Sequence, residues 1–141
     1  MALNNKTLDV KGGCLCGQVR YSISAVLIDA GFCHCRICQR SSGAPTLMWL
    51  TIPRSGFQYT HGHAAAFSSS KQAQREFCAH CGTQIAFRVN QQSQTIDVTV
   101  CSLDNSAAVE PEYHIWMQSK AKWLHVNDEL PRYRDAGPDA G

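Results

Sequence analysis

Cys33-His34-Cys35-Arg36-Ile37-Cys38 places three thiols within six residues, a density that packing alone does not call for. Two further cysteine pairs flank it, Cys14-Leu15-Cys16 before and Cys78-Ala79-His80-Cys81 after. Seven of the eight cysteines fall into these three groups. The spacing predicts two zinc sites, one closed by four thiolates and one held by three. The rest of the chain then reads as scaffold and pocket for the open site.

Zinc takes four ligands in a tetrahedron, with Zn–S near ~2.3 Å. In Cys78-Ala79-His80-Cys81-Gly82-Thr83 the two-residue gap lets the chain turn back so that both sulfurs face one point. Gly82 supplies the positive φ that such a turn often needs. Cys14 and Cys16 are expected on one face of a strand, with Gly12, Gly13 and Gly17 letting the backbone bend. Joined to the distant knuckle they make a four-thiolate site. Such a site is saturated, so its binding energy becomes folding energy, and it staples the N-terminal strand to the middle of the domain.

Cys33, Cys35 and Cys38 remain for a second ion. Three protein ligands leave one position for water or a substrate, which separates catalytic from structural zinc. Three thiolates give Zn²⁺ a net charge of −1 and soften its Lewis acidity. The preferred fourth ligand is then a substrate thiol, bound as thiolate at neutral pH. Other assignments exist. Cys101, in Val100-Cys101-Ser102-Leu103, is a conceivable fourth ligand, but a lone cysteine in an apolar strand is more often a small buried hydrophobe. His34 and His80 lie inside the clusters, where their cysteine neighbours already fill the geometry. His61 and His63 sit in a polar turn and read as solvated. A two-zinc module without chemistry, and a redox or metal-storage protein with exposed thiolates, are the competing classes.

Length and composition set the frame. A chain of 141 residues with 44% hydrophobic content fits one globular domain with its own core. Net charge is +2 and the pI is about 8.1. That suits a small anionic ligand. It argues against nucleic acid, which calls for a clustered basic face and interleaved aromatics. The first residues, Met1 to Lys6, are polar, read as frayed, and lack a secretory signal's apolar core. No apolar run approaches the ~18 residues of a membrane span. The expected compartment is the cytoplasm, where thiols stay reduced and clustered cysteines point to metal before disulfides.

The chain reads as many short strands divided by turns, a mainly β domain. Thr7 to Cys14 is a strand ending where Gly12-Gly13 turn the chain. Gln18 to Ser24 alternates with period two. Val26-Leu27-Ile28 begins a strand running to Cys33. Arg36 to Ser41 forms one helical turn, stopped by Gly43 and Pro45. Thr46 to Ile52 is an apolar strand, and Pro53-Arg54-Ser55-Gly56 a turn. Phe57 to Thr60 and Ala64 to Ser68 are short strands. Gln84 to Val89 and Thr95 to Val100 are the clearest strands by alternation, joined through Asn90-Gln91-Gln92-Ser93. Glu112 to Met117 is the last strand, and Pro131 and Gly137 to Gly141 argue for an irregular tail.

Taken together, Gly13-Cys14-Leu15-Cys16-Gly17, Cys33 to Arg40 and Phe77 to Thr83 resemble the glutathione-dependent formaldehyde-activating enzyme family, which includes the centromere protein V domain. Ser102-Leu103-Asp104, His114-Ile115-Trp116 and Ser119-Lys120-Ala121-Lys122-Trp123 extend the likeness over about residues 10–133. The resemblance implies a β-tent fold of small antiparallel sheets. It implies a structural zinc on Cys14, Cys16, Cys78 and Cys81, and a catalytic zinc on Cys33, Cys35 and Cys38. It also implies a carbon–sulfur lyase joining glutathione and formaldehyde as S-hydroxymethylglutathione. Glutathione carries two carboxylates, so Arg36 and Arg40 are the first candidates for substrate contacts. Ser41, Ser42 and Gly43 would supply hydroxyls and N–H groups. Arg54, Lys71, Arg75, Lys120 and Lys122 are not ranked by sequence, and Trp49, Trp116 and Trp123 read as core or pocket wall.

Overall fold

The computed structural model describes residues 6–90 and 93–137. Alternating burial builds the first sheet. In β1 (Thr7–Gly13) Leu8 and Gly12 point inward, and in β2 (Arg20–Val26) Tyr21 and Ile23 do so. The two pair antiparallel from Thr7↔Val26 to Gly13↔Arg20. After β3 (Asp29–Cys33), α1 (Arg36–Ser42) and β4 (Leu47–Pro53), the strand β5 (Phe57–His61) joins the other edge of β2, giving the order β1-β2-β5.

The second sheet has seven strands. β6 (Ala65–Ser68), β7 (Gln74–Phe77), β8 (Gln84–Arg88), β9 (Thr95–Thr99) and β10 (His114–Ile115) complete it in the order β10-β3-β4-β9-β8-β7-β6. One cluster of buried residues ties the two sheets together, with Leu8, Tyr21 and Ile23 meeting Leu50, Ile52, Ile85, Ile96 and Val98. Each fully buried aliphatic side chain of this kind contributes roughly 1.5–3 kcal/mol. Among the described residues no helix is long and apolar enough to cross a membrane.

The mainly β expectation holds, with differences in detail. Val26 ends β2, and β3 starts only at Asp29. The helix runs seven residues and ends before Gly43, whose N–H reaches Gln39 O at 2.8 Å. Cys14 and Cys16 do not share a strand face; they sit in the β1–β2 hairpin loop, closed by Cys14 N–H to Val19 O at 3.0 Å. The predicted last strand shrinks to His114–Ile115 and pairs parallel to β3, so this sheet is mixed. Trp116 stops it by taking a left-handed backbone, φ 58°. The chain returns beside it, with Tyr133 N–H on His114 O at 2.9 Å. Cys101 is exposed, not a buried hydrophobe: β9 ends at Thr99, and a 3₁₀ turn over Val100–Ser102 buries Val100 and swings Cys101 outward. The expectations for Met1 to Asn5, Gln91-Gln92 and Pro138 to Gly141 lie outside the described residues.

Candidate metal centres and active-site cavity

The β1–β2 loop and the β7–β8 loop bring Cys14, Cys16, Cys78 and Cys81 together, their sulfurs all within 4.8 Å of one another. Cys14 Sγ lies 3.6 Å from Cys16 Sγ, and Cys16 Sγ 3.8 Å from Cys78 Sγ. A tetrahedron of ~2.3 Å Zn–S bonds sets its sulfurs ~3.8 Å apart, so the group fits one tetrahedral ion. Backbone amides turn inward onto the sulfurs: Val19 N–H donates to Cys14 Sγ at 3.2 Å, and Cys81 N–H to Cys78 Sγ at 3.4 Å. Gly82, at φ 84°, lets the knuckle close with its N–H on Cys78 O at 2.8 Å. Hydrogen bonds led by Thr83 pull the Cys81 thiol down to about 5. Thr83 Oγ1 also accepts from Leu15 N–H at 3.0 Å, a second tie between the loops.

Cys33, Cys35 and Cys38 form the other group, again within 4.8 Å. Cys33 ends β3 and is held by Thr46, whose hydroxyl donates to Cys33 O at 2.8 Å. Cys35 caps α1, its sulfur accepting from Cys38 N–H at 3.2 Å. Cys38 Sγ lies 3.4 Å from Cys33 Sγ. Hydrogen bonds from Cys33 and then Cys38 hold the Cys35 thiol low, against burial and helped by the charge of Arg75. All eight cysteines are free. Three converging sulfurs without a disulfide suit a soft ion and leave one side of a tetrahedron open.

That open side faces a cavity of about 470 Å³, which Cys33, Cys35 and Cys38 all line. None of the four other clustered cysteines lines it. Its floor is one face of the seven-stranded sheet. Cross-strand pairing sets Ile115, Cys33 and Leu47 in one row, Gly31, Trp49 and Thr99 in the next. The third row is Asp29, Thr51, Asp97, Phe87 and Arg75. At 3.2–3.4 Å per residue the first and third rows lie ~13 Å apart. Trp49, Phe87 and Trp116 wall the cavity. Gly31 is needed for close approach, since a Cβ there would run into the Tyr113 ring that lines the wall.

Arg75 was not distinguished from other cations by sequence, yet it is only 7% exposed. Its guanidinium lies over Phe87 (5.0 Å) and Trp49 (5.8 Å), with Nη2 3.6 Å from Cys38 Sγ and Nη1 donating to Ser41 Oγ at 3.4 Å. Its Nε–H is buried without a partner. Asp97, also missed, accepts from the Thr51 hydroxyl at 2.7 Å, and burial pushes its carboxyl up to about 6. Tyr113 donates to Asp29 at 2.7 Å.

Of the sequence-predicted substrate contacts, Arg36 lines the cavity and donates to Gln39 Oε1 at 2.5 Å. Arg40 is exposed and does not line it. Ser41 reaches the cavity only through Arg75. His34 is no part of either sulfur group. It is fully buried, its Nε2 2.9 Å from His114 Nδ1, and His114 Nε2 is 2.8 Å from Asp128. His80, His61 and His63 are exposed. Trp123 is exposed as well, neither core nor wall. A second depression, about 580 Å³ between Arg54, Lys71 and Arg88, holds no thiol.

The fold is similar to that of a Rhodobacter sphaeroides protein solved by crystallography, with a TM-score of 0.58 at 23% identity, over 67% of this chain and 88% of that one. No curated protein matches the chain. Residues 9–119 match the family model described as glutathione-dependent formaldehyde-activating enzyme, a span that takes in both sulfur groups and every residue named as lining the cavity. With that match covering well over half its length, the chain belongs to the glutathione-dependent formaldehyde-activating enzyme family.

Proposed function

We propose that this protein is a zinc-dependent carbon–sulfur lyase acting on glutathione–aldehyde adducts of the S-hydroxymethylglutathione type. The observation that carries the reading is the asymmetry of the two sulfur groups: four thiols complete one tetrahedron away from the cavity, while three converge at the cavity wall. Cys14, Cys16, Cys78 and Cys81 would hold the structural ion, and Cys33, Cys35 and Cys38 the catalytic one. Zinc bound there supplies positive charge that makes a small thiol acidic and stabilises it as a leaving group.

The chain's own residues do the rest. Cys35, whose sulfur accepts from the amide of Cys38, fixes the cluster at the start of α1. Arg75 offsets the excess negative charge of three thiolates from 3.6 Å. Trp49, Phe87 and Trp116 keep the reacting carbon among apolar walls, where charge interactions are stronger than in water. Arg36 stands on the cavity wall as a carboxylate contact, and Ser41 acts on the site by positioning Arg75. Free cysteines throughout suit a reducing compartment such as the cytoplasm.

The test is carbon-13 NMR of labelled formaldehyde mixed with glutathione. Wild-type protein should speed exchange between free and thiol-bound carbon well above the uncatalysed rate, and Cys35→Ser should bring it back to that rate. Full exchange activity in Cys35→Ser would rule the reading out.

A further inference from the structure

Two opposite charges lie in the third row of the cavity floor: Arg75, which faces the Cys38 sulfur with one edge and keeps an unpartnered Nε–H, and Asp97, which no cation pairs with among the described residues. Arg75 and Asp97 both line the cavity; among the described residues no carboxylate pairs with Arg75 and no cation pairs with Asp97. Asp97 takes one hydrogen bond, from Thr51, and Arg75 has weak contacts to Ser41 and Cys38 and an unpartnered Nε–H. Phe87 stands between them in register, and the guanidinium lies over its ring. Their Cα atoms are two strand spacings apart, roughly 10 Å. The charges sense one another, since Arg75 draws the Asp97 carboxyl down against burial.

Burying an unpaired charge is costly unless something pairs with it. A cation and an anion left open on one cavity floor are complementary to a molecule that carries both. Asp29, in the same row, does not line the cavity, and its carboxylate faces the Tyr113 hydroxyl.

We propose that Arg75 and Asp97 form a subsite for the zwitterionic α-amino-acid head group of the thiol ligand, the carboxylate on Arg75 and the ammonium on Asp97. In glutathione this is the γ-glutamyl end. The inference rests on the reading that glutathione is the thiol, and it assigns which of its ends lies over the sheet. Arg75 reaches back along the floor, its guanidinium over Phe87 and its Nη2 3.6 Å from Cys38 Sγ, so a peptide whose sulfur sits at the cysteines meets both charges with its amino-acid head folded back over Phe87. Arg36, on the helix side of the cavity, is left for the glycine carboxylate.

The test is calorimetry on the metal-loaded protein with three ligands: glutathione, glutaryl-cysteinylglycine (no ammonium) and 4-aminobutyryl-cysteinylglycine (no α-carboxylate). A hydrogen bond to a charged group corresponds to roughly 10- to 100-fold in affinity. Wild type should lose about that much with each analogue. Asp97→Asn, which keeps the shape, should bind glutathione as weakly as wild type binds the desamino ligand, and should no longer tell the two apart. Arg75→Met should be indifferent to the α-carboxylate in the same way. Selective binding without adduct formation would sink the lyase reading and leave this subsite standing. Equal wild-type affinity for all three ligands, with normal turnover, would overturn the subsite and leave the lyase intact.

Discussion

Cys35 holds two positions at once, as cap of α1 and as one of three cavity thiols. Serine keeps the cap but is a poor soft-metal ligand. Cys35→Ser is therefore expected to lose one metal equivalent by mass analysis while its melting temperature moves by only a few degrees. Asp97 makes the opposite case, a residue that lowers stability. Its carboxyl is raised from an ordinary value near 3.8 to about 6 in the folded chain. A raised acid favours the folded state when protonated and penalises it when charged. The penalty builds as pH rises from about 4 to about 6 and is then constant. At 1.36 kcal/mol per unit it reaches up to about 3 kcal/mol. Asp97→Asn should thus be more stable than wild type at pH 8 by up to that amount, and equal to it near pH 4, in urea unfolding. A variant less stable than wild type at pH 8 would count against an unneutralised Asp97. The cysteines were legible in the sequence because metal ligands in a knuckle are neighbours along the chain. Arg75 and Asp97 were not, because only strand register sets them in one row, and nothing local separates Arg75 from Arg54 or Arg88.

Among elements, the two hairpin loops matter most. The β1–β2 loop belongs to the small sheet and the β7–β8 loop to the large one, and their four cysteines clamp the sheets at one point. Metal bound there is folding energy. Cys78→Ser is expected to unfold the domain or lower its melting temperature far more than Cys35→Ser does, with circular dichroism as the readout. β10 is the other element with consequences. Its two residues add a parallel edge beside Cys33 and carry His114, which reaches both His34 and Asp128. His114→Phe would keep the stack on Phe32 but leave the buried His34 ring with no partner at either nitrogen. That should cost about 1–3 kcal/mol in urea unfolding. Alternation revealed most strands of both sheets, because each has one face in the core. It overextended β10, whose pairing is parallel and whose end is set by the backbone of Trp116 and the returning tail.

At the scale of the whole molecule, one chain carries two sulfur groups of different make-up. One sulfur group is complete and joins the sheets. The other brings three thiols together at the wall of a cavity whose floor carries charged residues in register. The family and the two sulfur groups were readable from three spaced cysteine motifs; the cavity was not, since it exists only when six strands lie side by side. The central claim is that the open group is finished by the ligand's own sulfur. Zinc-edge absorption spectroscopy of the fully loaded protein, with and without glutathione, tests it directly. The expected result is one additional sulfur neighbour at one of the two ions on adding glutathione, and no gain in Cys35→Ser, which lacks that ion. Two ions already fully sulfur-ligated without glutathione, or a spectrum that glutathione leaves unchanged, would contradict it.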